Sequence, residues 1–117
     1  MRIALLVSGI LELIGGMIIY FKPDLIFANT YTPTAKFFGL AAFVIGMINI
    51  FSYQEFNESP VFKKIFLTMM GYHAAIAMIC FGMSPKIMHY TLEATLTHLA
   101  CFVLFFIMYM KAIPKSQ

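Results

Sequence analysis

The chain has 117 residues, of which 62% are hydrophobic and 11% charged, with a formal net charge of +3. A soluble domain carries about 25% charged residues, so this composition excludes a water-covered globule, a soluble catalytic domain and a nucleotide-binding domain. It describes an integral membrane protein of minimal size, because about 20 mainly apolar residues make one span and the length holds four.

In chain order, the first apolar run is Ile3 to Phe21, closed by Lys22-Pro23-Asp24. Arg2 followed by an apolar stretch has the form of a signal peptide. Glu12 interrupts the stretch and no small-residue cleavage site follows, so it is read as a helix. The second run covers about residues 37–53, the third about 61–83 and the fourth about 89–110. Pro23, Pro33, Pro60 and Pro85 fall in the intervening connections, where proline stops or starts a helix at little cost. Short loops predict antiparallel neighbours. The expectation is an all-α, four-helix transmembrane bundle in a single integral domain over residues 1–117.

The basic residues set the orientation. Arg2, Lys63, Lys64, Lys111 and Lys115 lie on the side of the N terminus, and Lys22, Lys36 and Lys86 on the other. This predicts both termini in the cytoplasm, and the lack of long tails and soluble domains leads to the expectation of a bacterial inner membrane. Tyr20, Tyr53, Tyr90 and Tyr109 fall near helix ends, where amphipathic rings prefer to sit. Asn57-Glu58-Ser59 has the form of a glycosylation acceptor but belongs to a loop on the inner side. The longest basic run is the pair Lys63-Lys64, so no nucleic-acid footprint exists. Cys80 and Cys101 form no metal or redox spacing and are read as small packing residues.

Gly9 to Phe21 aligns with Gly39 to Phe51 at an offset of thirty, with Gly, Gly, Met, Ile and Phe coinciding. Small residues mark the packed faces of membrane helices. Leu5, Ser8, Gly9, Gly15, Gly16 and Ile19 lie within about 60° of Glu12 at about 100° per residue, so that face points into the bundle. Gly39, Ala42, Gly46 and Asn49 form a second stripe, and Thr91, Ala94, Thr95, His98 and Cys101 a third. In the third helix, Phe66, Met69, Met70, Ile76, Ala77 and Cys80 surround His73.

Glu12 carries the most information. It lies near the bilayer centre, where a charged side chain costs about 2.5–3.5 kcal/mol on insertion scales. Such a group is retained when it is neutralised, paired or functional. His73 and His98 agree in depth to within about 5 Å at a rise of about 1.5 Å per residue, and both lie near the depth of Glu12. Contacts from Glu12 to either histidine are therefore allowed, and Ser8, Asn49, Thr95 and Tyr72 are placed to complete a polar network. The candidate ligand-binding or proton-handling residues are Glu12, His73, His98, Asn49 and Tyr72. No catalytic set, resident metal or cofactor is assigned. Two histidines at one depth are the pattern of bis-His haem b ligation, and imidazole with carboxylate suits zinc or iron. His89 sits at a helix end, and Glu93 near the outer end of its helix reaches headgroup water.

Two resemblances follow from particular segments. Leu11-Glu12-Leu13-Ile14-Gly15-Gly16 resembles the first helix of the small multidrug resistance transporters. That resemblance implies that Glu12 alternates between protons and cationic substrates in a dimer. The chain departs from the family in having no Trp, no proline-glycine-alanine-tyrosine-tryptophan stretch in helix three, and two added membrane histidines. The first helix ending before Lys22-Pro23, together with Ala35-Lys36-Phe37-Phe38-Gly39-Leu40-Ala41-Ala42-Phe43-Val44-Ile45-Gly46, is similar to the DoxX-like superfamily of small bacterial membrane proteins. This resemblance implies a four-helix bundle, with some members resembling accessories of redox complexes. The leading functional expectation is a small membrane binding or accessory protein, alone or as a subunit of a larger assembly. Its expected partners are the lipid bilayer, a hydrophobic small molecule, another membrane protein or a second copy of itself. A proton-coupled transporter, a haem or quinone redox protein and a toxin-binding immunity protein are the alternatives.

Overall fold

The computed structural model describes residues 1–28, 31–57 and 59–112. Glu58 of the acceptor-like triplet, and Pro114 and Lys115 of the tail, lie outside the described residues. Four helices account for most of the rest: α1 (Arg2–Phe21), α2 (Thr32–Gln54), α3 (Pro60–Gly82) and α4 (Thr91–Ala112). They have 20, 23, 23 and 22 residues. At about 1.5 Å per residue each is roughly 30–35 Å long, enough for a hydrocarbon core of about 30 Å. All four are long and apolar enough to cross a membrane. Ile14, Phe37, Phe51, Phe81 and Leu96 project outward, as suits contact with lipid.

Two boundaries differ from the sequence expectation. α2 begins at Thr32, not near Phe37, so Pro33 sits in its first turn. The first helical N–H groups have no intrahelical acceptor, so proline there forfeits nothing; Pro60 opens α3 in the same way. α4 begins at Thr91, because His89 is engaged elsewhere: its N–H donates to the Ile26 carbonyl at 2.8 Å. The Ala28 N–H donates to the Ile87 carbonyl at 2.9 Å, and Phe27 pairs with Met88 in an isolated bridge. The connection after α1, which includes a 3-10 turn at Pro23–Leu25, is thereby tied to the connection before α4.

α1 packs most closely on α2, and α3 on α4, while the two pairs meet more loosely. The close seam is built on glycine. A Cβ on Gly16 would lie 2.5 Å from the Phe43 backbone nitrogen, and one on Gly39 would lie 2.6 Å from that of Tyr20. Gly46 meets the Leu13 nitrogen at 2.6 Å and Gly9 meets Gly46. Only hydrogen in place of a side chain permits such backbone approach. The positions that coincide at the offset of thirty, Gly9 with Gly39 and Gly16 with Gly46, are the ones that interlock across this seam.

Gly15 shares the face of Glu12 but packs against no helix. A Cβ there would meet nothing within 4 Å. The apolar core lies toward the start of α1, where Ala4, Leu5, Phe66, Met69 and Phe105 are buried together. The rings of Phe66 and Phe105 are 4.6 Å apart between centroids. This core forms the apolar floor on which the polar centre rests.

Candidate functional site

Above that floor, α1 presents Ser8 and Glu12 one turn apart, α2 presents Asn49, α3 presents Tyr72 and His73, and α4 presents His98. Helical spacing places Ser8 and Glu12 on one face. The close Gly9–Gly46 approach carries Asn49 to the same level. Phe105 packs beneath His73, with 5.5 Å between ring centroids.

The side chains form one connected constellation. Asn49 Nδ2 donates to Ser8 Oγ at 2.8 Å, and Ser8 Oγ lies 2.7 Å from His73 Nε2. His73 Nδ1 is 3.0 Å from His98 Nδ1. The Tyr72 hydroxyl donates to Glu12 Oε2 at 3.1 Å. The other carboxylate oxygen, Glu12 Oε1, lies 3.9 Å from His73 Nδ1 and 3.7 Å from His98 Nδ1. Relative exposure is 0% for Ser8 and Asn49, 1% for His73 and 5% for Glu12, while Tyr72 and His98 are only partly buried. Asn49 Oδ1 is buried and receives no hydrogen bond from the described residues.

All five sequence-predicted site residues therefore stand in one centre. Direct contact between the two histidines goes beyond the sequence expectation, which places them at one depth and within reach of Glu12 without joining their rings. Thr95 is not part of the network; its hydroxyl donates to the Thr91 carbonyl one turn back, at 2.7 Å. Sequence reading also overlooked the opening beside the centre. A cavity of about 180 Å³ borders Glu12, His73 and His98 and is walled by Gly15, Ala42 and Cys101, among others. Gly15, with no helix against it, leaves that space free, which explains a glycine on this face without a packing role.

The geometry discriminates between cofactors. Two axial bonds of about 2 Å to one metal would hold haem-ligating nitrogens about 4 Å apart, on opposite faces of a flat macrocycle. The two Nδ1 atoms are 3.0 Å apart and the ring centroids 5.2 Å. No slot for a porphyrin separates them, so bis-His haem ligation by His73 and His98 does not fit this arrangement. Cys80 and Cys101 are both free and buried.

The arrangement can bind a polar or charged group. It offers a carboxylate oxygen and two imidazole nitrogens converging from three helices, with a hydroxyl and an amide holding them in position. No protein-family model, curated protein or solved structure matches this chain.

Proposed function

We propose that the chain is a small integral membrane protein that holds a ligand at the centre of its bundle. The convergence of Glu12, Tyr72, His73 and His98 beside an open cavity carries this reading. A polar link between helices needs one hydrogen-bonded pair, contributing about 0.6–2 kcal/mol. Here, ionisable groups from three helices meet at one point, and the space beside them is left unfilled. Intramembrane ionisable residues turned toward such a space mark binding or transport sites.

In this reading, neighbouring helices run antiparallel. The pairing of Gly9 with Gly46 and of Gly16 with Gly39, in opposite residue order, supports that sense. Among the described residues, Arg2, Lys63, Lys64 and Lys111 mark the helix ends of the cytoplasmic side, against Lys22, Lys36 and Lys86 on the other. This bias favours cytoplasmic termini; the membrane in this reading is a bacterial inner membrane. The outward apolar faces are available to lipid and to another membrane protein, as an accessory subunit requires. The DoxX-like resemblance accords with the bundle.

Native mass spectrometry in mild detergent, with a visible spectrum of the same sample, tests the proposal. The expected result is a mass excess on the folded chain that disappears in His98→Ala. Recovery of the bare chain, with no small-molecule or ion uptake, would refute it. Proton-coupled cation flux in liposomes that is lost in Glu12→Gln would replace it with exchange transport.

A further inference from the structure

We propose that Glu12, His73 and His98 bind one divalent transition-metal ion of the zinc class, with a coordination position open to the adjoining cavity. The assignment rests on the ligand-holding reading above and names the ligand.

Three atoms define the site: Glu12 Oε1, His73 Nδ1 and His98 Nδ1. Their separations are 3.0, 3.7 and 3.9 Å. The centre of a triangle with these sides lies about 2.1 Å from each corner, matching zinc bonds of about 2.0–2.1 Å to imidazole and about 2.0–2.2 Å to carboxylate. The donor set is that of open zinc sites with two histidines and a glutamate, and of the two-histidine, one-carboxylate iron sites.

The atoms that do not point at this centre are held from behind. Tyr72 donates to Oε2 of Glu12, leaving Oε1 for the ion. Ser8 lies against Nε2 of His73, leaving Nδ1 for the ion, and Asn49 in turn donates to Ser8. Ligating histidines almost always engage their second nitrogen in this way, and ligating carboxylates are hydrogen-bonded in turn. With Nδ1 bound to metal, Nε2 carries the proton and donates to Ser8 Oγ, which has two lone pairs and accepts from both His73 and Asn49.

The alternative to a metal is less complete. Two imidazole nitrogens 3.0 Å apart can share only one proton, and neither lies within hydrogen-bonding reach of Glu12 Oε1. A cation at the centre satisfies all three lone pairs at once. With Glu12 ionised, a divalent ion leaves the centre one positive charge, so an anionic fourth ligand, hydroxide or a carboxylate, balances it. The cavity, bordered by Glu12 and His98, provides the room. The ligands come from α1, α3 and α4, so the ion also joins the two loosely apposed helix pairs.

Equilibrium dialysis of the tag-free, chelator-stripped protein in detergent against zinc(II) tests the site, with metal analysis of the retained protein. One zinc per chain is expected. Tyr72→Phe and Ser8→Ala should weaken binding about 10–100-fold, the usual effect of losing an outer-shell partner. His98→Ala should weaken it further, and His89→Ala, on an exposed residue at the α3–α4 connection, should leave it unchanged. Cobalt(II) added to the unaltered protein should develop the intense visible bands of a four-coordinate ion, a readout that needs no variant to fold. Absence of both stoichiometric zinc and those bands overturns the assignment. So does zinc uptake that is insensitive to His98→Ala. If the protein then still retains a small molecule that His98→Ala releases, the metal assignment alone has failed; if it retains nothing, the ligand-holding reading fails with it.

Discussion

Gly15 and Gly16 are adjacent in sequence, and replacing each by alanine should have opposite effects. Alanine is better than glycine in a helix by about 1 kcal/mol in water, a gain both variants share. At Gly15 nothing lies within 4 Å of the added methyl, so the expected change is about 0–1 kcal/mol of stabilisation. At Gly16 the methyl would lie 2.5 Å from Phe43 N, 2.7 Å from Gly39 O and 2.9 Å from Phe43 Cα. Ordinary contact is about 3.5–4.0 Å, and all three atoms are backbone, so no rotamer change relieves the overlap. The α1–α2 seam must open by about 1 Å, and overpacking of this kind costs about 1–3 kcal/mol. The two variants should therefore differ by about 1–3 kcal/mol in reversible unfolding in mixed micelles. Gly9→Ala should fall between them, because its nearest obstacles are Ile50 side-chain atoms that can turn aside. Equal shifts for Gly15→Ala and Gly16→Ala would refute the glycine seam.

Further outcomes follow from the polar centre and the orientation. Ser8→Ala strips the Asn49 amide of its acceptor and should cost about 1–3 kcal/mol; in Ser8→Ala/Asn49→Leu the two losses should be non-additive, measured as a double-mutant cycle in unfolding. Zinc uptake should fall as pH is lowered, since imidazole and carboxylate must both be free of their protons to ligate; a pH-independent affinity by dialysis would contradict ligation by these side chains. Because Cys80 and Cys101 are buried, introduced cysteines can be labelled selectively. Lys22→Cys should react with an impermeant maleimide in whole cells and Lys63→Cys only after lysis, whereas the reverse pattern would invert the topology.

Composition and apolar run length were sufficient for four helices, because burial of backbone polar groups in lipid leaves few other structures. Their ends were less legible. Thr32, Thr34 and Lys36 read as a polar connection, yet a helix extends through them once Pro33 occupies its first turn. Helical periodicity identified the inward face of α1 from Ser8, Glu12 and Gly16, but it carries no information on which helix lies opposite. Depth along the helices therefore aligns His73 with His98 without revealing that they touch. Gly15 illustrates the same limit: a small residue on an inward face looks alike whether it admits a helix or borders a cavity. Thr95 looked like a network member, but its hydroxyl has a local acceptor in the Thr91 carbonyl, which side-chain spacing does not reveal.

The central claim is that Glu12, His73 and His98 converge on one metal ion, and zinc X-ray absorption fine structure of the protein in lipid nanodiscs addresses it most directly. The expected result is a first shell of nitrogen and oxygen at about 2.0–2.2 Å with the outer-shell scattering of two imidazole rings. A sulfur shell at about 2.3 Å, or light-atom scattering without imidazole, would contradict it.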